Sequence, residues 1–203
     1  SMLGLILVLS RFQIRWTNRR YEVSRWLLAF SMFVLAWHYV LQMVCGFRAK
    51  GDEIGAVVNV LFYSPVSFFI SYATYNLICY RGGRKKFALL GCVSYALILI
   101  CFFFGYNDTP RGMRMGEWLY VMLALFAVII MYSTYTTVIE MRYHRKIIEE
   151  NTTEDLLPFD RYTYTTYGLA GIMVLAMVGA ICYRPLLYCV GPLMLFSLIS
   201  FTI

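Results

Sequence analysis

The sequence predicts an all-α fold: an integral membrane helical bundle of about seven transmembrane helices, N-terminus outside and C-terminus cytoplasmic. Three observations predict it. Apolar residues gather in runs of about 20, the length that crosses a hydrocarbon core of roughly 30 Å. Hydrophobic residues make up 61% of the 203 and charged ones only 14%, against roughly 25% charged in soluble domains. Nearly every Lys and Arg falls in a short connection between apolar runs, the arrangement by which membrane proteins set their orientation.

The elements follow in chain order, and residues 1–203 read as one transmembrane domain. The first run, 2–16, is short and reaches a spanning length only by taking in Phe12, Ile14 and Trp16. No cleavable signal peptide is expected there, because basic residues follow the run without a small-residue cleavage site. Stronger runs stand at 25–47, 54–80, 87–106, 116–139, 164–182 and 185–203, each long enough to span. The fifth is expected to continue into the cytosol to about 150. Beyond it, Leu156-Leu157-Pro158-Phe159 is expected to lie against the membrane face.

Orientation rests on the basic residues. The first, third and fifth connections hold thirteen: Arg11, Arg15, Arg19, Arg20, Arg25; Arg81, Arg84, Lys85, Lys86; Arg142, Arg145, Lys146, Arg161. The second, fourth and sixth hold five: Arg48, Lys50, Arg111, Arg114 and Arg184. The positive-inside rule makes the odd connections cytoplasmic. The same distribution explains the net charge of +7 without nucleic acid, and direct nucleic-acid binding by this segment is not expected.

Intramembrane polar residues are where function would show, since lipid offers them no partner. His38 and Gln42, four residues apart, share one helix face. Asn59, Tyr63 and Ser67 follow on the next helix. Together these five form a candidate pocket for a small ligand of unknown identity; the same residues could instead glue two helices together. Pro65 removes a backbone hydrogen bond in mid-helix, and Ser64 and Ser67 are expected to satisfy the freed carbonyls. The result is either a hinge or a fixed bend. Residues 81–86 serve as a topology anchor or an anionic-lipid contact.

Several chemistries are set aside. The six cysteines form no CxxC pair and read as small buried hydrophobes. The two histidines, His38 and His144, fall on opposite sides of the membrane, so no metal site is expected. No cofactor is implied. No nucleophile-and-base set falls at one membrane depth, and the expectation is a non-enzyme.

One resemblance bears on function. A basic turn containing Asn18-Arg19-Arg20 precedes an aromatic-rich helix. Then come Leu61-Phe62-Tyr63-Ser64-Pro65, Tyr72 and Tyr75, and a charged helical extension from Arg145-Lys146-Ile147-Ile148-Glu149-Glu150-Asn151 to Leu156-Leu157-Pro158-Phe159-Asp160-Arg161. This layout resembles the N-terminal membrane sensor region of Bacteroidetes membrane-anchored regulators, in which such a region precedes an AraC-type helix-turn-helix domain or a histidine kinase. The resemblance implies a bacterial inner-membrane sensory domain, with a cytoplasmic output domain further along a longer chain and a possible homodimer. Glu140, Arg145, Glu149 and Asp155 would be the output contact. The alternative from another class is a small transporter or channel for a neutral solute.

Overall fold

The computed structural model describes residues 4–5, 8, 19–47, 50–79, 82–108, 115–151, 157–181 and 192–193. Five long helices occupy them: α1 (Arg19–Cys45), α2 (Asp52–Ile78), α3 (Arg84–Asp108), α4 (Glu117–Asn151) and α5 (Leu157–Ile181). The runs expected to cross at 2–16 and 185–203 lie outside the described residues, apart from 4–5, 8 and 192–193. Among the described residues, α1, α2, α3 as far as Asn107, and α4 are long and apolar enough to cross a membrane.

Most helix starts depart from the hydropathy pattern in the same direction. Backbone hydrogen bonding begins before the first apolar residue, because long charged side chains can lie along the helix and reach back to water, whereas α1 and α2 stop two residues short of their apolar runs, at Cys45 and Ile78. Thus α1 starts at Arg19 rather than at 25, and α3 takes Arg84-Lys85-Lys86 into its first turn rather than leaving them in a loop. In α5 the start moves from 164 to Leu157. Pro158 then falls in a first helical turn, where its missing N–H removes no bond, and residues 157–159 are helical. α4 runs unbroken to Asn151, as expected. Where a helix must stop abruptly, glycine supplies the backbone: Gly46, at φ 56°, follows α1 and gives its N–H to the Gln42 carbonyl at 3.1 Å, the left-handed ending that only glycine adopts freely.

Consecutive helices pack antiparallel. Ser24 near the start of α1 meets Ala73 near the end of α2, while Gln42 meets Asn59. Tyr75 stacks on Phe87, and Phe104 on Trp118. As a result Arg19, Arg20, Arg84, Lys85 and Lys86 gather at one end of the bundle, whereas Lys50 lies in the connection at the other. We call these the basic end and the opposite end.

α2 is the centre, packed against all four of the other helices. The core runs from Leu28 and Met32 on α1 through Val57, Val60, Val66 and Ile70 on α2 to Ile98 on α3 and Met122, Phe126 and Ile130 on α4. Large apolar side chains also cover the outside: Trp26, Phe30 and Trp37 on α1, Leu89, Phe103 and Phe104 on α3, Val128 and Met131 on α4. Exposed apolar area of this extent would be untenable in water, and a lipid bilayer accounts for it. This is a multi-span helical membrane protein.

A second packing unit holds α2, α3 and α4 together nearer the basic end. The rings of Tyr75 and Phe87 stack with centroids 4.6 Å apart, and Phe68 and Tyr132 stack on Phe87 at 5.7 and 5.9 Å. Gly91 lets α3 come this close, since a Cβ there would overlap the Phe68 ring. Because Phe87 and Tyr72 hem that ring in, it has little room to yield. Gly91→Ala is therefore expected to destabilise the bundle by about 1–3 kcal/mol through overpacking, measured by unfolding in detergent micelles, with Phe68→Leu in the same chain recovering part of the loss.

Candidate functional site

At the opposite end from the basic residues, the α1–α2 interface closes over an imidazole and two amides. His38 is completely buried, against the rings of Phe62 at 4.8 Å and Tyr63 at 5.1 Å. Gln42, one turn on, donates its Nε2 amide to Asn59 Oδ1 at 2.9 Å and lies 3.0 Å from His38 Nε2. An amide nitrogen carries two hydrogens and no acceptor. In this contact His38 Nε2 faces the amide as acceptor. Gln42 is half-buried, whereas His38 and Asn59 are buried, so Gln42 is the most exposed member of the cluster.

Four of the five expected pocket residues thus come together: His38, Gln42, Asn59 and Tyr63. Ser67 is buried one turn beyond Tyr63 on α2 and joins none of these hydrogen bonds. The i, i+4 spacing of His38 and Gln42 was readable in the sequence; Asn59 as their partner required the register between α1 and α2.

Pro65 sits inside α2 without ending it. Lacking an N–H, it leaves the carbonyl four residues earlier, that of Leu61, without its helical donor. The expected serines do not repair this. Ser64 Oγ is buried with no hydrogen-bond partner, and the donor comes instead from α3: Tyr95 Oη points at the Leu61 carbonyl, 3.4 Å away. A serine on the same helix reaches only nearby carbonyls along its own turn, whereas a tyrosine on a neighbouring helix can reach across. Tyr95 escaped sequence reasoning; the one available clue was the orphaned carbonyl itself.

A second polar junction lies at the basic end, built on Asn76. Its Nδ2 donates to the Arg20 carbonyl and to Ser24 Oγ, both at 3.0 Å, and Ser24 Oγ donates to the Ala73 carbonyl at 2.9 Å. On its other side Asn76 Oδ1 accepts from Arg84 Nη1 at 3.4 Å. One buried side chain of α2 thereby ties down the start of α1 and the start of α3.

The expected output contact divides. Glu140 is 6% exposed and faces the interior, so it is not a surface residue. Arg145 and Glu149 are half-open and bound to each other at 2.7 Å, and Arg145 also reaches Asp160 of α5 at 3.1 Å. Asp155 lies outside the described residues. His144, one turn beyond Glu140, titrates below the ordinary histidine range, because burial disfavours its charged form more than the nearby Glu140 favours it. Between α2, α4 and α5, a cavity of about 20 Å³ is lined by Ser71, Thr74, Thr134, Thr137 and Thr166 together with Ile70 and Ala170; it has room for little more than one water. Among the described residues no group of His, Cys, Asp and Glu could hold a metal ion.

Two outcomes follow from this geometry. Tyr95→Phe should cost about 1 kcal/mol in micelle unfolding, and the same change in a Pro65→Ala background should cost much less, since the alanine N–H then takes the Leu61 carbonyl; equal costs in both backgrounds would refute the assignment. For His144, the unfolded chain binds more protons than the folded one between the native value and 6.5. Its contribution to stability is therefore complete above 6.5 and falls away as pH drops toward the native value. His144→Gln should flatten the stability profile over that window.

Comparison of the chain with protein-family models, curated proteins and solved structures yields no match.

Proposed function

We propose that this chain is the membrane sensory domain of a membrane-anchored bacterial regulator, taking a small ligand at the His38–Gln42–Asn59 cluster and relaying its presence along α4 to a cytoplasmic output domain. The observation that carries this reading is the length of α4. Its 35 residues form one helix of roughly 52 Å, against a hydrocarbon core of about 30 Å, so a stretch from about Glu140 onward stands clear of the bilayer. By the positive-inside rule that stretch is cytoplasmic.

The route between cluster and tip is made of packed elements. Gln42 joins α1 to α2, and α2 packs along α4. A ligand that hydrogen-bonds the Gln42 amide competes with Asn59 for it. For this to signal, the ligand must bind one packing of α1 on α2 better than the other. Layout resemblance to the Bacteroidetes regulators supports an AraC-type or kinase output, and the inner membrane as the location.

Hydrogen exchange on the chain in nanodiscs tests the coupling. Gln42→Leu should leave helix content intact yet speed amide exchange at residues 140–151, which lie on the far side of the bundle. Unchanged exchange there would break the link between cluster and tip. Liposomes holding the wild-type chain should show no more entry of glycerol or urea than empty ones. Measurable flux would move the protein to the transporter class.

A further inference from the structure

The basic end concentrates cations from two helix starts. Arg19, Arg20, Lys85 and Lys86 are exposed and Arg84 half-buried. The acid on these two helix starts, Glu22, is paired with Arg25 at 2.9 Å. Charges in two separate connections need not act together, but here they are held together. Asn76 is bonded on one side to the Arg20 carbonyl and on the other to the Arg84 guanidinium, so the starts of α1 and α3 stand one side chain apart. Asn76 is only 4% exposed and Ser24, its other partner, 1%. The clamp is a buried, directional one.

We propose that this clamp builds a binding site for the headgroup of an anionic phospholipid, with Arg19, Arg20, Arg84, Lys85 and Lys86 as its cationic wall and Asn76 as the positioning residue. Three features favour a lipid over a soluble anion. The cations lie where apolar outer faces begin: Val23 and Trp26 on α1 and Leu89 and Leu90 on α3 are exposed just beyond them, so acyl chains and headgroup are served by the same surface. Basic residues next to a membrane span attract anionic lipid at short range. Arginine offers a planar pair of donors suited to a phosphate. The site rests only on the bundle's place in a bilayer, and it stands whether or not the sensory reading does.

Native mass spectrometry of the chain released from micelles doped equally with phosphatidylglycerol and phosphatidylcholine reads the site as the ratio of the two lipids retained. The wild type should retain phosphatidylglycerol in clear excess. Lys85→Gln with Lys86→Gln should lower the ratio, by up to roughly fivefold per cation. Lys50→Gln, a loss of the same charge at the opposite end, should leave it unchanged. The decisive variant is Asn76→Ala, which removes no charge yet should lower the ratio by freeing Arg84 and the start of α1. An unchanged ratio in Asn76→Ala, an equal fall in Lys50→Gln, or equal retention of both lipids by the wild type would each overturn the built site in favour of diffuse charge. Displacement of the lipid by millimolar inorganic phosphate would overturn it in favour of a soluble anion. The two lysines are exposed, so their variants keep the test sound if Asn76→Ala fails to fold.

Discussion

A polar side chain within the hydrocarbon layer has no water to turn to, and α2 carries five such groups buried in the middle of the bundle: Asn59, Ser64, Ser67, Thr74 and Asn76. How each is satisfied decides what the neighbouring helices can do. Hydroxyls have a local solution, since a serine or threonine can donate to a carbonyl one turn back on its own helix. Thr74 does this toward Ile70, as do Ser31 toward Leu27 on α1 and Thr136 toward Tyr132 on α4. A carboxamide holds two hydrogens and an acceptor oxygen, more than its own turn can satisfy. Both asparagines of α2 therefore reach outward. They stand about 25 Å apart along the helix and fasten α1 at two points, through Gln42 near one end and through Arg20 and Ser24 near the other.

The rest of the architecture leans on this double fastening. Apolar packing between helices is weakly directional in lipid, where hydrocarbon tails compete with leucine on equal terms. Two amide links fix the register of α1 on α2 in a way that Leu28, Met32, Val57 and Val60 alone would not. The Tyr95 hydroxyl plays the corresponding part for α3, meeting a backbone carbonyl that Pro65 exposes, and the ring stack around Phe87 supplies the shape complementarity that holds α3 and α4 in place. The junctions differ in consequence. Asn76 is enclosed and surrounded by bonds that a ligand could not easily replace. Gln42 is half-buried rather than enclosed, so the two junctions differ in their exposure.

Much of the fold was legible because a bilayer leaves few options: runs of about 20 apolar residues with basic connections admit helices and little else. Helix ends were read less well. Hydropathy marks where lipid contact ceases, whereas the backbone follows capping and torsion, so Arg19, Arg84 and Leu157 all begin helices on the polar side of the apolar boundary. Pairs within one helix were visible by spacing, as with His38 and Gln42. Pairs across helices were not: Gln42 with Asn59, Asn76 with Arg20 and Arg84, and Tyr95 with Leu61 each depend on a register that no single segment encodes. Glu140 shows the opposite failure. Its place in a charged stretch suggested a surface residue, yet it is the first acid after the apolar run and still lies under the packing of its neighbours.

The reach of α4 has a mechanical side. From Glu140 to Asn151 the helix extends by about 18 Å, and α4 as a whole packs against α2, α3 and α5. A tilt of only about 10° at Glu140 would sweep the tip through roughly 3 Å, a displacement comparable to the width of a side chain. Because Arg145 grips Asp160 partway along, the start of α5 travels with it, and the moving part is a pair of helices braced against each other. Such a lever would turn a small repacking among the packed helices into a larger displacement at its tip.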